Sequence, residues 1–283
     1  MSDSILVYSI HTFLFKHLNK KGYLNNDIVI TGYFSGTVDF DPNSGTEIVS
    51  STNSSTSDVF ILKMTDSGQL GWLRSLNSTL NQRPKSIAID KKNNIISTGY
   101  FNGTVDFHPG LAITYDLTSK GLEDIFIQKV TEDGLFIWAK SIGGVEKDIS
   151  LDIEVNNFDE LFIVGSFDET VDFDPDTGVF ELSLNANDPN ETSSFILKLD
   201  TNGDFAWAKD LHNANFRSIT SDFFGNIAIA GSFSGSRDFN LETGVYELTA
   251  ESLDAFVLKM SSCSETNEQI SVSTCNSYTL PSG

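Results

Sequence analysis

The residues best placed for chemistry are the acidic pairs of "GTVDFDPNSG" (36–45). Asp39 and Asp41 stand two apart, Asn43 follows two further on, and a glycine closes the stretch. Oxygen donors at alternate positions of a tight loop suit a hard cation such as Ca²⁺. "ETVDFDPDTG" (169–178) repeats the arrangement with Asp172, Asp174 and Asp176. Two further versions depart from it. "GTVDFHPG" (103–110) has His108 at the second acidic position, and "GSRDFNLETG" (235–244) has Asn240 there. The first Asp stands in all four versions and the second does not. That pattern favours a structural turn whose first carboxylate accepts backbone N–H groups. The rival is a calcium loop, with Asp39, Asp41, Asp172 and Asp174 as ligands. No other cofactor is expected.

Four lysines also recur, Lys63, Lys129, Lys198 and Lys259, in "FILK", "FIQK", "FILK" and "FVLK". One such lysine per unit could bind anions. The plainer expectation is a strand-end lysine that reaches the rim and meets an acidic neighbour. "DSGQLGW" (66–72), "TEDGLFIW" (131–138) and "DTNGDFAW" (200–207) read as hairpin turns. Catalysis finds no foothold. His11, His17, His108 and His212 have no recurring partner, Arg74, Arg83, Arg217 and Arg237 are scattered, and no nucleophile elbow or phosphate loop appears.

The elements that carry these residues form a repeat. Gly32, Gly99, Gly165 and Gly231 are 67, 66 and 66 residues apart, and Asp39, Asp106, Asp172 and Asp238 keep the same steps. Trp72, Trp138 and Trp207 follow at 66 and 69. Within a unit, short runs such as "NIISTGYF" (94–101), "DIFIQKV" (124–130), "LFIWAKS" (135–141) and "SLDIEV" (150–155) alternate with turns. Strands at this density predict antiparallel sheets, and no segment holds a helical period. A 66-residue unit fits one sheet of about four strands, which buries both faces only by stacking on neighbours. The expected fold is an all-β β-propeller of four repeats, 27–93, 94–159, 160–225 and 226–262. Residues 1–26 read as a partial repeat remnant and 263–283 as the start of another region, so the propeller is expected to be incomplete or part of a longer array.

The chain has 283 residues and a net charge of −21. So acidic a surface repels nucleic acid and anionic lipid, and neither is an expected partner. No apolar run approaches the ~20 residues of a membrane helix. The two cysteines, Cys263 and Cys275, allow one local bridge or two free thiols.

Residues 27–262, with "GYFSGTVDFDPNSG…SDVFILKMTDSGQLGW" and its copies, resemble the Bacteroidetes-type β-propeller repeat related to the repeats called SBBP. Units of that family run as a glycine-aromatic strand, a "VDFDP" turn, a "DxFxxK" strand, a "D-x-x-G" turn and a "WAK" strand. The fourth unit departs from this with Arg237 and "NLETG". The tail "STCNSYTLPSG" (273–283) resembles the opening of a repeat of large surface adhesins. The resemblance implies a secreted or cell-surface protein exported by a type IX route, although the first residues show no clear signal peptide. It implies no defined activity. The expected role is a non-enzymatic extracellular scaffold or recognition module for protein or glycan. The alternative is a carbohydrate-active hydrolase or lyase on the same fold.

Overall fold

The computed structural model describes residues 27–109, 113–184, 193–241 and 244–261, with the backbone of Leu14–Leu18 and Ile270–Thr274. Cys263 and Cys275 lie outside the described residues. Every regular element among the described residues is a strand. The chain divides into two compact units, Met1–Ser141 and Ile142–Gly283.

The first unit holds two antiparallel four-stranded sheets. One runs Leu14–Leu18, Ile28–Phe34, Asp58–Met64, Leu70–Leu76, and the next Gln82–Ile89, Ile95–Phe101, Asp124–Val130, Phe136–Ile142. The second unit repeats the plan. Its sheets run Ile149–Val155, Leu161–Phe167, Ser193–Leu199, Phe205–His212, and Ala214–Ser221, Ile227–Asp238, Glu247–Met260, Ile270–Thr274. Each sheet is therefore a meander in which successive strands are neighbours. It starts one strand before the repeat as phased from its glycines. Backbone from 14–18 and 270–274 supplies the outer strands of the first and fourth sheets.

Between the second and third strands of each sheet the chain leaves as a two-stranded ribbon. Thr37–Asp39 pairs with Ile48–Ser50, Thr104–Asp106 with Asp116–Thr118, and Thr170–Asp172 with Glu181–Ser183. In the fourth sheet the long strands run straight into the ribbon, from Ile227↔Met260 to Asp238↔Glu247.

Phenylalanine ties ribbon to sheet. Phe34 ends the second strand, Phe40 follows the ribbon Asp, and Phe60 lies on the third strand. Their ring centroids are 5.1, 6.4 and 4.9 Å apart, mostly edge to face. The same trio recurs as Phe101, Phe107 and Phe126, as Phe167, Phe173 and Phe195, and as Phe233, Phe239 and Phe256, all buried. Edge-to-face packing suits the ring quadrupole and adds to the apolar area removed from water. The recurrent glycine serves this trio. Phe126 lies directly across from Gly99, and Phe195 from Gly165. A Cβ on Gly165 would stand 2.0 Å from the Ile149 carbonyl oxygen and 2.7 Å from the Phe195 ring. The first strand bulges opposite this glycine, between Ser150 and Asp152, so only a bare backbone fits.

All seven residues of "DIFIQKV", Asp124–Val130, are buried. The two sheets of each unit pack against one another around such strands. In the first unit Val59 and Leu76 meet Phe101, Val105, Phe107 and Phe126 across the sheet interface. In the second, Val164, Ile196 and Leu211 meet Phe216, Ile229 and Phe256. Tryptophan contributes less than its recurrence suggests. Trp72, Trp138 and Trp207 are only half-buried. Trp72 instead donates its indole N–H to the Glu132 carbonyl at 2.9 Å and covers Gly134, fastening one sheet to a turn of the next.

Candidate functional site

The Asp-Phe turns are built around one carboxylate oxygen. Asp39 Oδ1 accepts the N–H of Asp41 at 3.1 Å and of Glu47 at 2.8 Å. Asp172 Oδ1 accepts from Asp174 and Phe180, Asp106 Oδ1 from His108 and Tyr115, and Asp238 Oδ1 from Asn240 and Tyr246. One oxygen thus holds both ends of the loop in all four copies. Phe of the same Asp-Phe pair inserts into the trio beneath.

The second acidic residue has a local task. Asp41 Oδ1 accepts the Asn43 N–H at 2.8 Å, and Asp174 Oδ1 accepts the Asp176 N–H at 2.9 Å. Their other oxygens fold over Gly45 and Gly178, and Asn240 folds likewise over Gly244. His108 stacks on Phe136 instead, with centroids 4.8 Å apart. These carboxylates face N–H donors, whereas a calcium cage needs converging oxygens. Among the described residues no three acidic, imidazole or thiol side chains gather at one point.

Lys63, Lys129 and Lys198 each meet an acid that precedes the second strand of their own sheet, and Lys63 also meets Glu132 in a turn of the next. Lys129 Nζ lies 2.9 Å from Asp90 Oδ2, both side chains nearly inaccessible. Lys198 lies 2.8 Å from Glu160, and Lys63 3.1 Å from Asp27 and 3.3 Å from Glu132. Sequence reasoning missed how the acid is supplied. Asp90 accepts from the Asn94 side chain at 2.8 Å, Asn156 donates to Glu160 at 2.8 Å, and Asp222 accepts from Asn226 at 2.7 Å. Each turn thus holds one carboxylate and one carboxamide, and in the third copy the two exchange places. The visible signal was that exchange four residues apart. Burial alone would raise the Asp90 carboxyl, but the Asn94 side chain, then Lys129, hold it below its usual value. Asp124, in the same sheet, is the opposite case. Burial pushes it up against the bond its Oδ2 accepts from the Lys120 N–H, and Oδ1 has no hydrogen-bond partner.

Three polar residues break the repeat together. Gln128 replaces the leucine of Leu62, Leu197 and Leu258, His108 replaces Asp or Asn, and Arg74 stands where Lys140 and Lys209 occur. They line one cleft of about 170 Å³ in the first unit, whose other walls are apolar and include Phe107 and Phe136. Arg74 Nε donates to the Gly134 carbonyl at 2.9 Å, and Gln128 Nε2 to the Phe107 carbonyl at 2.9 Å.

Fold and turns together define an all-β repeat protein built of β-propeller-type units. No family model matches the chain. It is similar to an uncharacterized WD repeat-containing protein of Acanthamoeba polyphaga mimivirus, at 30% identity over 213 residues. The match covers 67% of this chain but 15% of that relative. The unit lengths are compatible with this likeness. The ribbons are inserted between the second and third strands of each sheet, between Phe34 and Asp58, Phe101 and Asp124, and Phe167 and Ser193. Without them a ~66-residue unit shortens to roughly the 40–45 residues of a four-stranded WD40 blade.

Proposed function

We propose that the chain is a non-enzymatic scaffold that recognises a protein or a glycan. On its resemblance to the Bacteroidetes-type repeats, it works in secreted form or at the bacterial surface. One observation carries the reading. The recurring Asp, Lys, Phe and Gly residues all have partners inside the sheets and turns, while the copies differ in the residues at their turns. Self-capped sheets make rigid platforms for variable loops. The WD repeat relative supports a scaffold for protein interaction in particular.

The cleft of Arg74, His108 and Gln128 is the observation that favours the alternative, a carbohydrate-active hydrolase or lyase. Glycoside hydrolysis ordinarily needs two carboxyl groups across the scissile bond, and the lining of the cleft supplies none. One experiment tests both readings. The full chain is incubated with a panel of neutral and acidic polysaccharides and with surface proteins, and retention and product formation are followed. The scaffold reading expects retention without products. Release of shortened or unsaturated sugars, lost in His108→Ala, would establish the enzyme.

A further inference from the structure

We propose that two neighbouring turns of the second unit, Asn156–Glu160 and Asp222–Asn226, form a docking surface for a basic, aliphatic-rich protein segment. The proposal rests on the scaffold reading and names the surface and the partner chemistry.

Three phenylalanines stand on these turns in water. Phe158 is 57% exposed, Phe223 79% and Phe224 71%. The trios beneath show what this sequence does with phenylalanine that serves the core, so exposure on adjacent turns is a departure. The turns are fixed to one another. Asn157 Nδ2 donates to the Phe223 carbonyl at 2.9 Å, and the Phe158 ring lies against Gly225. Phe223 and Phe224 lie edge to face at 5.7 Å. Each turn is also capped from within. Asn156 Oδ1 accepts the N–H groups of Phe158 and Glu160, and Asp222 Oδ1 those of Phe224 and Asn226. The rings are thus held on rigid supports, which lowers the ordering cost of binding. Contiguous exposed apolar surface of this kind marks interaction sites.

Charge decides the partner. Asp159, Glu160 and Asp222 lie on the two turns, and Asp200 and Asp204 on the hairpin turn at the same end of the third sheet. Lys198 is paired with Glu160, and Lys259 is within electrostatic reach of Asp222. Acid remains in excess, within a chain of net charge −21. A segment carrying Lys or Arg between aliphatic residues would meet the carboxylates, lay cations over the rings and cover the apolar surface. Phenylalanine has no N–H or O–H to offer a sugar hydroxyl, unlike Tyr or Trp, which favours protein over glycan. The equivalent turn of the first unit carries Lys91 and Lys92 and would repel the same segment.

The test uses the full chain and labelled probes in fluorescence anisotropy. The probes are a short lysine–leucine peptide, its glutamate–leucine counterpart, and soluble xylan and cellulose oligosaccharides. Phe223→Ser with Phe224→Ser is the main variant, Phe158→Ser the second, and Lys91→Ser with Lys92→Ser the control. Thermal melts check that each is folded. The lysine–leucine peptide should bind, with affinity falling about tenfold or more in the double Phe variant and unchanged in the Lys control. Absent binding, binding unaffected by the Phe changes, or equal binding of the glutamate peptide would overturn the proposal. So would a dimer of the wild type that dissolves in the Phe variant. Oligosaccharide binding lost in that variant would overturn it in favour of a glycan and leave the scaffold reading standing. Cleavage of the oligosaccharides would overturn the scaffold reading itself.

Discussion

The ribbon turns and the turns between first and second strands obey opposite rules. The ribbon turns are nearly the same four times over. Asp39, Asp106, Asp172 and Asp238 each use one oxygen to hold two N–H groups, and the Phe after each is buried. The other turns keep only their cap and vary at the tip, from Lys91 and Lys92 to Phe158 to Phe223 and Phe224. Repetition marks what the fold needs. Variation on a repeated support marks where the copies differ in what they present.

The sharpest way to break this contrast is through the buried rings. Phe173 is 0% exposed and touches Phe167 and Phe195. Phe173→Ala should cost about 3–5 kcal/mol in urea unfolding, whereas Phe223→Ala should stay within about 0.5 kcal/mol. Gly165→Ala comes next. Its Cβ would collide with the Ile149 backbone and the Phe195 ring, so it should cost about 1–3 kcal/mol by overpacking. A neutral result would show that the bulge can relax.

Asp106→Ala removes the acceptor of two backbone N–H groups and should cost about 1–2 kcal/mol, as lost caps do. Asp41→Ala, whose Oδ1 accepts one N–H, should cost less. Addition of calcium or of a chelator should leave the melting temperature of the wild type unchanged. A calcium-dependent rise that disappears in Asp41→Ala with Asp174→Ala would return those turns to the metal reading.

The smallest effects are in pH, and two acids of one sheet should move in opposite directions. The folded Asp90 carboxyl lies below its ordinary 3.8. It therefore adds stability above that value, which is lost as pH falls through the folded pKa. Asp124 lies above 3.8. It adds stability at low pH, which is lost as pH rises from 3.8 through the raised folded value. Asp124→Asn should be more stable than wild type near neutrality and lose that advantage in acid, as read by urea titrations across pH.

The sequence showed much of this order, though unevenly. The repeat, the strands and the role of the first Asp follow from spacing and from the first Asp persisting where the second gives way to His108 and Asn240. The Phe trios were not legible, because three rings up to 28 residues apart meet only once the ribbon folds back. The phase of the sheets was also hidden, since a repeat can be cut at any strand. The exchange between Asp90–Asn94 and Asn156–Glu160 looks like drift until both side chains are seen to bond each other. The cleft and the exposed Phe turns depend on neighbouring sheets, which periodicity within one unit does not report.

One paired measurement tests the account most directly. Melting temperature and affinity for the lysine–leucine peptide are read on the same samples of wild type, Asp172→Ala, and Phe223→Ser with Phe224→Ser. The account predicts a lowered melting temperature with unchanged affinity for Asp172→Ala, and an unchanged melting temperature with about tenfold or greater loss of affinity for the Phe variant. An Asp172→Ala protein that melts like wild type but no longer binds, or a Phe variant that melts early and binds normally, would contradict it.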